Sequence, residues 1–176
     1  MFYLAAALVL RGWALVERGR SEEGMAQIRQ GFDTGGATRS HMRAHSLALL
    51  AEAWGKEGNF TEGLAELAKA FTLVEETEIR FYEPELHRLK GEFLLGLDPE
   101  NPAEAETCFR QAVAIARRQQ AKSLELRAAV SLARLYQGQG RGGEARPLLA
   151  ETYGWFSEGF DTPDLREARA LRDQLP

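Results

Sequence analysis

Apolar and small residues recur along this chain at offsets of 0, 4, 7 and 8, positions that share one face of an α-helix. Four stretches carry the pattern, beginning on Gly24, Gly63, Ala105 and Ala145 at spacings of 39, 42 and 40 residues. Four residues after each start comes a large apolar side chain, Ile28, Leu67, Phe109 or Leu149. The seventh residue is small in Gly31, Ala70 and Ala112, with Thr152 as the exception, and the eighth is Phe32, Phe71, Val113 or Tyr153.

A second helix precedes each of these. Twelve residues before the start stand Gly12, Ala51 and Ala133, and Gly91 takes the same place once two extra loop residues are allowed. Three residues further on come Leu15, Trp54, Leu94 and Tyr136. Between the helices lies Gly19, Gly58 or Gly140, where glycine can take the left-handed conformation that ends a helix. The third pair instead has a longer connection over residues 97–102, with Pro102 just ahead of the next helix. Small residues let antiparallel helices approach closely, and a large residue from the partner fills the gap. One such pair cannot cover its own apolar face, so pairs stack.

The spacing predicts helices at 2–18, 21–34, 38–57, 60–77, 83–96, 102–119, 122–138, 142–157 and 163–174, the last capped by Thr162 with Pro163 at its first position. The fold expected is all-α: a right-handed α-solenoid of about four helical hairpins and a C-terminal capping helix. It forms a single domain with repeats at about 1–36, 37–79, 80–120 and 121–160 and a cap over 161–176. Asp33 to Gly36 is the expected flexible joint.

Composition supports helices, since alanine, leucine, glutamate and arginine dominate while the β-branched residues are sparse. A net charge of −4 with the two signs mixed along the chain lacks the basic block of a nucleic-acid binder. The single cysteine, Cys108, leaves no internal disulfide and fits a reducing cytoplasm. The apolar run from Phe2 to Leu10 has no positive residue before it and Arg11-Gly12-Trp13 after it, and is too short to span a bilayer. It reads as the buried face of the first helix, with no membrane partner implied.

Candidate chemistry is sparse. Residues 31–38 have the glycine spacing of a phosphate loop, but alanine stands in place of the lysine and a helix precedes where a strand is needed. The GxGxxG of residues 138–143 falls in an inter-helix turn. His41 and His45 share a helix face without a third metal ligand or a general-base glutamate between them, so a solvated face is expected. Cys108 reads as a small core residue. Glu83, Glu85 and His87 are spaced so that their side chains diverge. No nucleophile has a recognisable setting, and Asn59-Phe60-Thr61 is a sequon without meaning in a cytoplasmic chain. Tyr153, Trp155, Phe156 and Phe160 are expected to cap the last repeat. No catalytic residue, metal or cofactor is predicted.

The pattern of small and large residues resembles the tetratricopeptide repeat, although its periods exceed thirty-four residues and the terminal proline of that repeat is missing. Four stretches, LLAEA (49–53), ELHRLKGE (85–92), AIARRQQAKSLELR (114–127) and YGWFSEGFDT (153–162), are similar to one family. It is the C-terminal repeat region of bacterial multidomain signalling proteins that join an adenylate/guanylate cyclase-like or regulatory domain to an AAA-type ATPase. The resemblance implies a non-catalytic sensory or scaffolding arm whose partner is a protein, a peptide or upstream domains of a parent protein. The chain then looks like a truncated, split or excised version of such an arm.

In tetratricopeptide repeats the first helix of each pair lines a concave groove. By that resemblance His45, Glu52, Lys56, Glu85, Arg88, Glu92, Arg127, Arg134 and Gln137 face a bound peptide. A homodimer through Phe2, Leu4, Leu8 and Leu15 of the first helix is the alternative. A cyclase or nucleotide-hydrolysing enzyme is opposed by the lack of a phosphate loop or a metal-binding carboxylate pair.

Overall fold

A computed structural model describes residues 2–34 and 40–175, with the side chains of Phe2, Ser40, His41 and Met42 outside that description. Among the described residues there are nine helices and no strand: α1 (Phe2–Glu17), α2 (Ser21–Thr34), α3 (Ser40–Lys56), α4 (Phe60–Thr77), α5 (Glu83–Leu97), α6 (Ala103–Gln119), α7 (Lys122–Gly138), α8 (Gly142–Tyr153) and α9 (Pro163–Gln174). They form an all-α solenoid. Four hairpins, α1/α2, α3/α4, α5/α6 and α7/α8, follow one another, and each first helix also packs beside the first helix of the next hairpin. α9 closes the last hairpin by packing on α7 and α8.

The small residues do what their spacing predicts. On Gly12 of α1 a Cβ would stand 2.6 Å from the Gly24 carbonyl of α2, and on Gly24 it would stand 2.5 Å from the Gly12 carbonyl. The two backbones are therefore in contact, an approach that only glycine at both places permits. In later hairpins an aromatic ring from the next element takes up the room. Phe93 of α5 lies against Gly55 of α3 and Gly63 of α4, and Phe109 of α6 lies against Gly91 of α5. The large residues of the repeat, Ile28, Leu67, Phe109 and Leu149, are all among the most deeply buried side chains, each burial stabilising the fold by about 1.5–3 kcal/mol. Thr152, the exception at the small position, is also buried, and its hydroxyl donates to the Leu148 carbonyl at 3.0 Å, so no polar atom is stranded.

Three turns share one geometry. Gly19, Gly58 and Gly140 have φ of +75°, +75° and +73°, and the following amide reaches back to the helix, Arg20 to Leu15 O (2.9 Å), Asn59 to Trp54 O (2.9 Å) and Arg141 to Tyr136 O (2.8 Å). These are the six-to-one bonds of a glycine-ended helix.

Two expectations need correction. α8 ends at Tyr153 and not at 157, because the chain turns at Gly154, whose amide closes on the Ala150 carbonyl at 3.0 Å. The aromatic cap is only half formed from the residues expected: Tyr153 and Phe156 pack on the terminal core with Leu165, Ala168 and Leu171 of α9, whereas Trp155 and Phe160 are exposed. The expected start of the third helix at Thr38, Gly35 and Gly36 of the expected joint, and part of the glycine-rich 31–38 stretch lie outside the described residues.

Candidate functional site: the groove along the first helices

Side-by-side packing of α1, α3, α5 and α7 puts one face of each helix on a common surface. A cleft of about 550 Å³ runs along it, lined by Leu10, Trp13 and Glu17 of α1 and by His45, Leu49, Glu52 and Lys56 of α3. Tyr82, Arg127 of α7, and Pro163 and Asp164 at the start of α9 complete the lining. That α1 and α9 share one cleft shows that the surface is concave. A second, smaller cleft of about 170 Å³ continues it past Arg88, Glu92, Ser131 and Arg134 to Glu167, and Glu52, Arg127 and Asp164 line both.

The floor is an ion-pair network. Arg88 holds Glu85 through two hydrogen bonds, Nε at 3.0 Å and Nη2 at 2.7 Å, and also binds Glu92. Arg127 Nη2 lies 2.9 Å from Glu85 Oε1 and 3.9 Å from Glu52 Oε1. Ser131 donates to Glu92 at 2.9 Å. At the α1 end Lys56 pairs with Glu17, and at the α9 end Arg134 pairs with Glu167.

Burial and neighbouring charge set the protonation of these groups. Burial pushes the Glu85 carboxyl up, but Arg88, Arg127 and His45 outweigh it and hold Glu85 below the usual range, so it stays ionised. Glu52 goes the other way, raised by burial with Glu85 adding to it and Arg127 only partly opposing. Burial lowers His45 against the pull of Glu85, and pushes the Tyr82 phenol up to about 12. The two rings meet edge to face with centroids 4.4 Å apart.

The nine residues assigned to the groove from the sequence separate into three groups. His45, Glu52, Lys56 and Arg127 line the larger cleft, while Glu92 and Arg134 line the smaller. Glu85 and Arg88 are buried, at 2 % and 7 % exposure, and form the groove's base: Arg88 still borders the smaller cleft, whereas Glu85 lines neither. Gln137 is exposed and lines neither cleft. The solvated face expected for the histidine pair does not hold for His45, which is half-buried against Tyr82; the His41 side chain lies outside the described residues.

Sequence reasoning missed Leu10, Trp13 and Glu17, although the repeat itself contains them. Leu49, Glu52 and Lys56 carried back by the 39-residue spacing land on Leu10, Trp13 and Glu17. Of the residues assigned to self-association, Leu4 is 57 % exposed and Leu8 half-buried, but Leu15 is buried at 7 % within its own chain and unavailable to a partner. The Phe2 side chain lies outside the described residues.

The remaining candidates disperse. Cys108 is buried in the core, and burial pushes its thiol up, away from a reactive thiolate. Glu83 pairs with Arg80 and His87 packs edge-on to Phe71, so neither joins Glu85. Among the described residues no three His, Cys, Asp or Glu side chains are placed to hold a metal, and no helix is long and apolar enough to cross a membrane.

No family model and no curated protein matches the chain. Solved structures do. Nearly identical TPR-like repeats of kinesin light chain type from Podosopora anserina superpose with a TM-score of 0.67 at 19% sequence identity, covering 95% of this chain and 82% of that one. A variant of the same repeats gives a TM-score of 0.67 at 18% identity with the same coverage. Likeness at this identity is one of fold: the chain is a TPR-like solenoid of helical hairpins.

Proposed function

We propose that this chain is a non-catalytic protein-interaction module, a single helical-repeat domain that holds a segment of another protein in the groove along α1, α3, α5 and α7. The observation that carries the reading is the 550 Å³ cleft, which gathers side chains from α1, α3, α7 and α9 onto one concave surface of a TPR-like fold. Solenoids of this kind present extended concave surfaces to their partners. The exposed Leu10 and Trp13 offer apolar contact and the polar groups around Glu52 and Arg127 offer orientation, the usual division of labour in an interface. A sensory or regulatory arm of a bacterial cytoplasmic signalling protein is the narrower role, supported by the four stretches that resemble such arms.

Cross-linking tests the groove. The chain's lysines sample different surfaces, since Lys56 lines the groove and Lys69 lines a separate pocket between α2, α3 and α4. A partner captured in stoichiometric amount from cell extract should cross-link at Lys56; links confined to Lys69 would place binding at the separate pocket between α2, α3 and α4 and sink the groove assignment.

A second reading, self-association through α1, is favoured by the 85 % exposure of Tyr3 beside Leu4. Leu4→Glu would then shift the solution mass from dimer to monomer.

A further inference from the structure

We infer that the segment held in the groove is basic and apolar, with a lysine or arginine side chain seated between Glu52 and Asp164 and a bulky apolar one on Leu10, Trp13 and Tyr82. This rests on the groove reading above and names the chemistry of its occupant. The groove's own cations are already committed: Lys56 to Glu17, Arg134 to Glu167, Arg88 to Glu85 and Glu92, and Arg127 to Glu85 at 2.9 Å. Two carboxylates are left over. The Glu52 carboxylate has only the 3.9 Å approach of Arg127 and no side-chain hydrogen bond among the described residues, and Asp164 has no ion pair among them.

These two line both clefts together with Arg127, whose charge is held by Glu85, so they flank the place where the apolar cleft meets the polar one. A cation arriving there completes an unfinished set of pairs in a partly desolvated setting, whereas an acidic side chain would add to uncompensated negative charge. Beside it, Leu10 and Trp13 are exposed on α1 with no covering element, while Tyr82 is held in place by His45. An apolar neighbour of the incoming cation buries this surface and shields the ion pairs from water. The exposed α1 residues on which self-association would rest, Tyr3 and Leu4, lie outside the lining of either cleft, so that contact would leave Glu52 and Asp164 as they are.

Fluorescence anisotropy with the full chain tests the charge. Three labelled peptides share a leucine- and tryptophan-bearing sequence and differ only in carrying arginine, serine or glutamate at the intervening positions. The arginine peptide should bind roughly tenfold tighter than the serine peptide, the glutamate peptide weaker than both, and the difference should shrink as salt is added. Glu52→Gln with Asp164→Asn should bring the arginine peptide to the level of the serine one, and Trp13→Ser should weaken both. Equal binding of all three, or preference for glutamate, with Trp13 still required, overturns the inference and leaves the groove reading standing. If none binds, or binding ignores Trp13, both fall. Concentration-dependent association of the chain with itself that Glu52→Gln and Asp164→Asn abolish would make a second copy the occupant and would also overturn it.

Discussion

Glu85 and Arg127 hold equivalent places in successive hairpins and meet across the seam between them, Arg127 Nη2 2.9 Å from Glu85 Oε1. His45 holds the same place one hairpin earlier, and its charge is felt at Glu85. One position of the repeat thus becomes a stripe along the groove floor. The neighbouring position explains Arg88. Where α5 has Arg88, the equivalent residues of α1, α3 and α7 are Val9, Ala48 and Val130, all buried. The guanidinium occupies a core position, and Glu85 and Glu92 compensate it there.

Breaking that pair should be costly and replacing it cheap. Arg88→Val leaves Glu85 buried with Arg127 alone and should destabilise the chain by about 3–5 kcal/mol, while Arg88→Val with Glu85→Leu should restore most of the loss. Urea unfolding of the two variants checks this; a double variant as unstable as the single one would refute it.

Glu52 and Glu85 should respond to neutralisation with opposite signs. Glu85 is held below its ordinary value of 4.5, so it contributes stability above that pH and loses it as pH falls through its lowered value. Glu52 is raised above 4.5, so its ionised form opposes folding at neutral pH and its protonation stabilises as the pH falls toward 4.5. At pH 7, Glu85→Gln should lower the thermal midpoint and Glu52→Gln should raise it, as read by circular dichroism.

The histidines give a second pH dependence. Burial lowers both His45 and His87 from 6.5, with Glu85 and Glu83 opposing in turn. The unfolded chain therefore binds protons more readily, and stability should fall as the pH drops from about 6.5 toward the lowered values. His45→Gln with His87→Gln should flatten that part of the stability profile; an unchanged slope would mean that burial does not govern them.

Glycines separate by what surrounds them. Gly12→Ala forces a Cβ to 2.6 Å from the Gly24 carbonyl and 2.8 Å from Ile28, and should cost about 1–3 kcal/mol or more. Gly138, helical with nothing within 4 Å of its would-be Cβ, should accept alanine with a gain of about 0.4–1 kcal/mol. Chemical denaturation of both variants should show midpoints moving in opposite directions.

Residue spacing alone was enough to place the nine helices of the described residues, their pairing and most of their turns. Small and large residues at fixed offsets leave one way for two helices to approach, as Gly12 on Gly24 and Phe109 on Gly91 illustrate, and glycine at 19, 58 and 140 marks where three of the four hairpins reverse. The groove was partly legible for the same reason: a position repeated in each hairpin is repeated in space, and the register that found Glu52 also contains Trp13. What it could not supply was depth and neighbours. Arg88, Arg127 and Arg134 are alike in the sequence, yet one is buried beneath Glu85 and Glu92, one bridges two hairpins, and one pairs with Glu167 of α9. Only the curvature that brings Asp164 of α9 onto the cleft lined by Leu10 of α1 decides which charges are paired within the chain and which are left unpaired among the described residues. That curvature is set by long-range packing, to which spacing along the chain is blind.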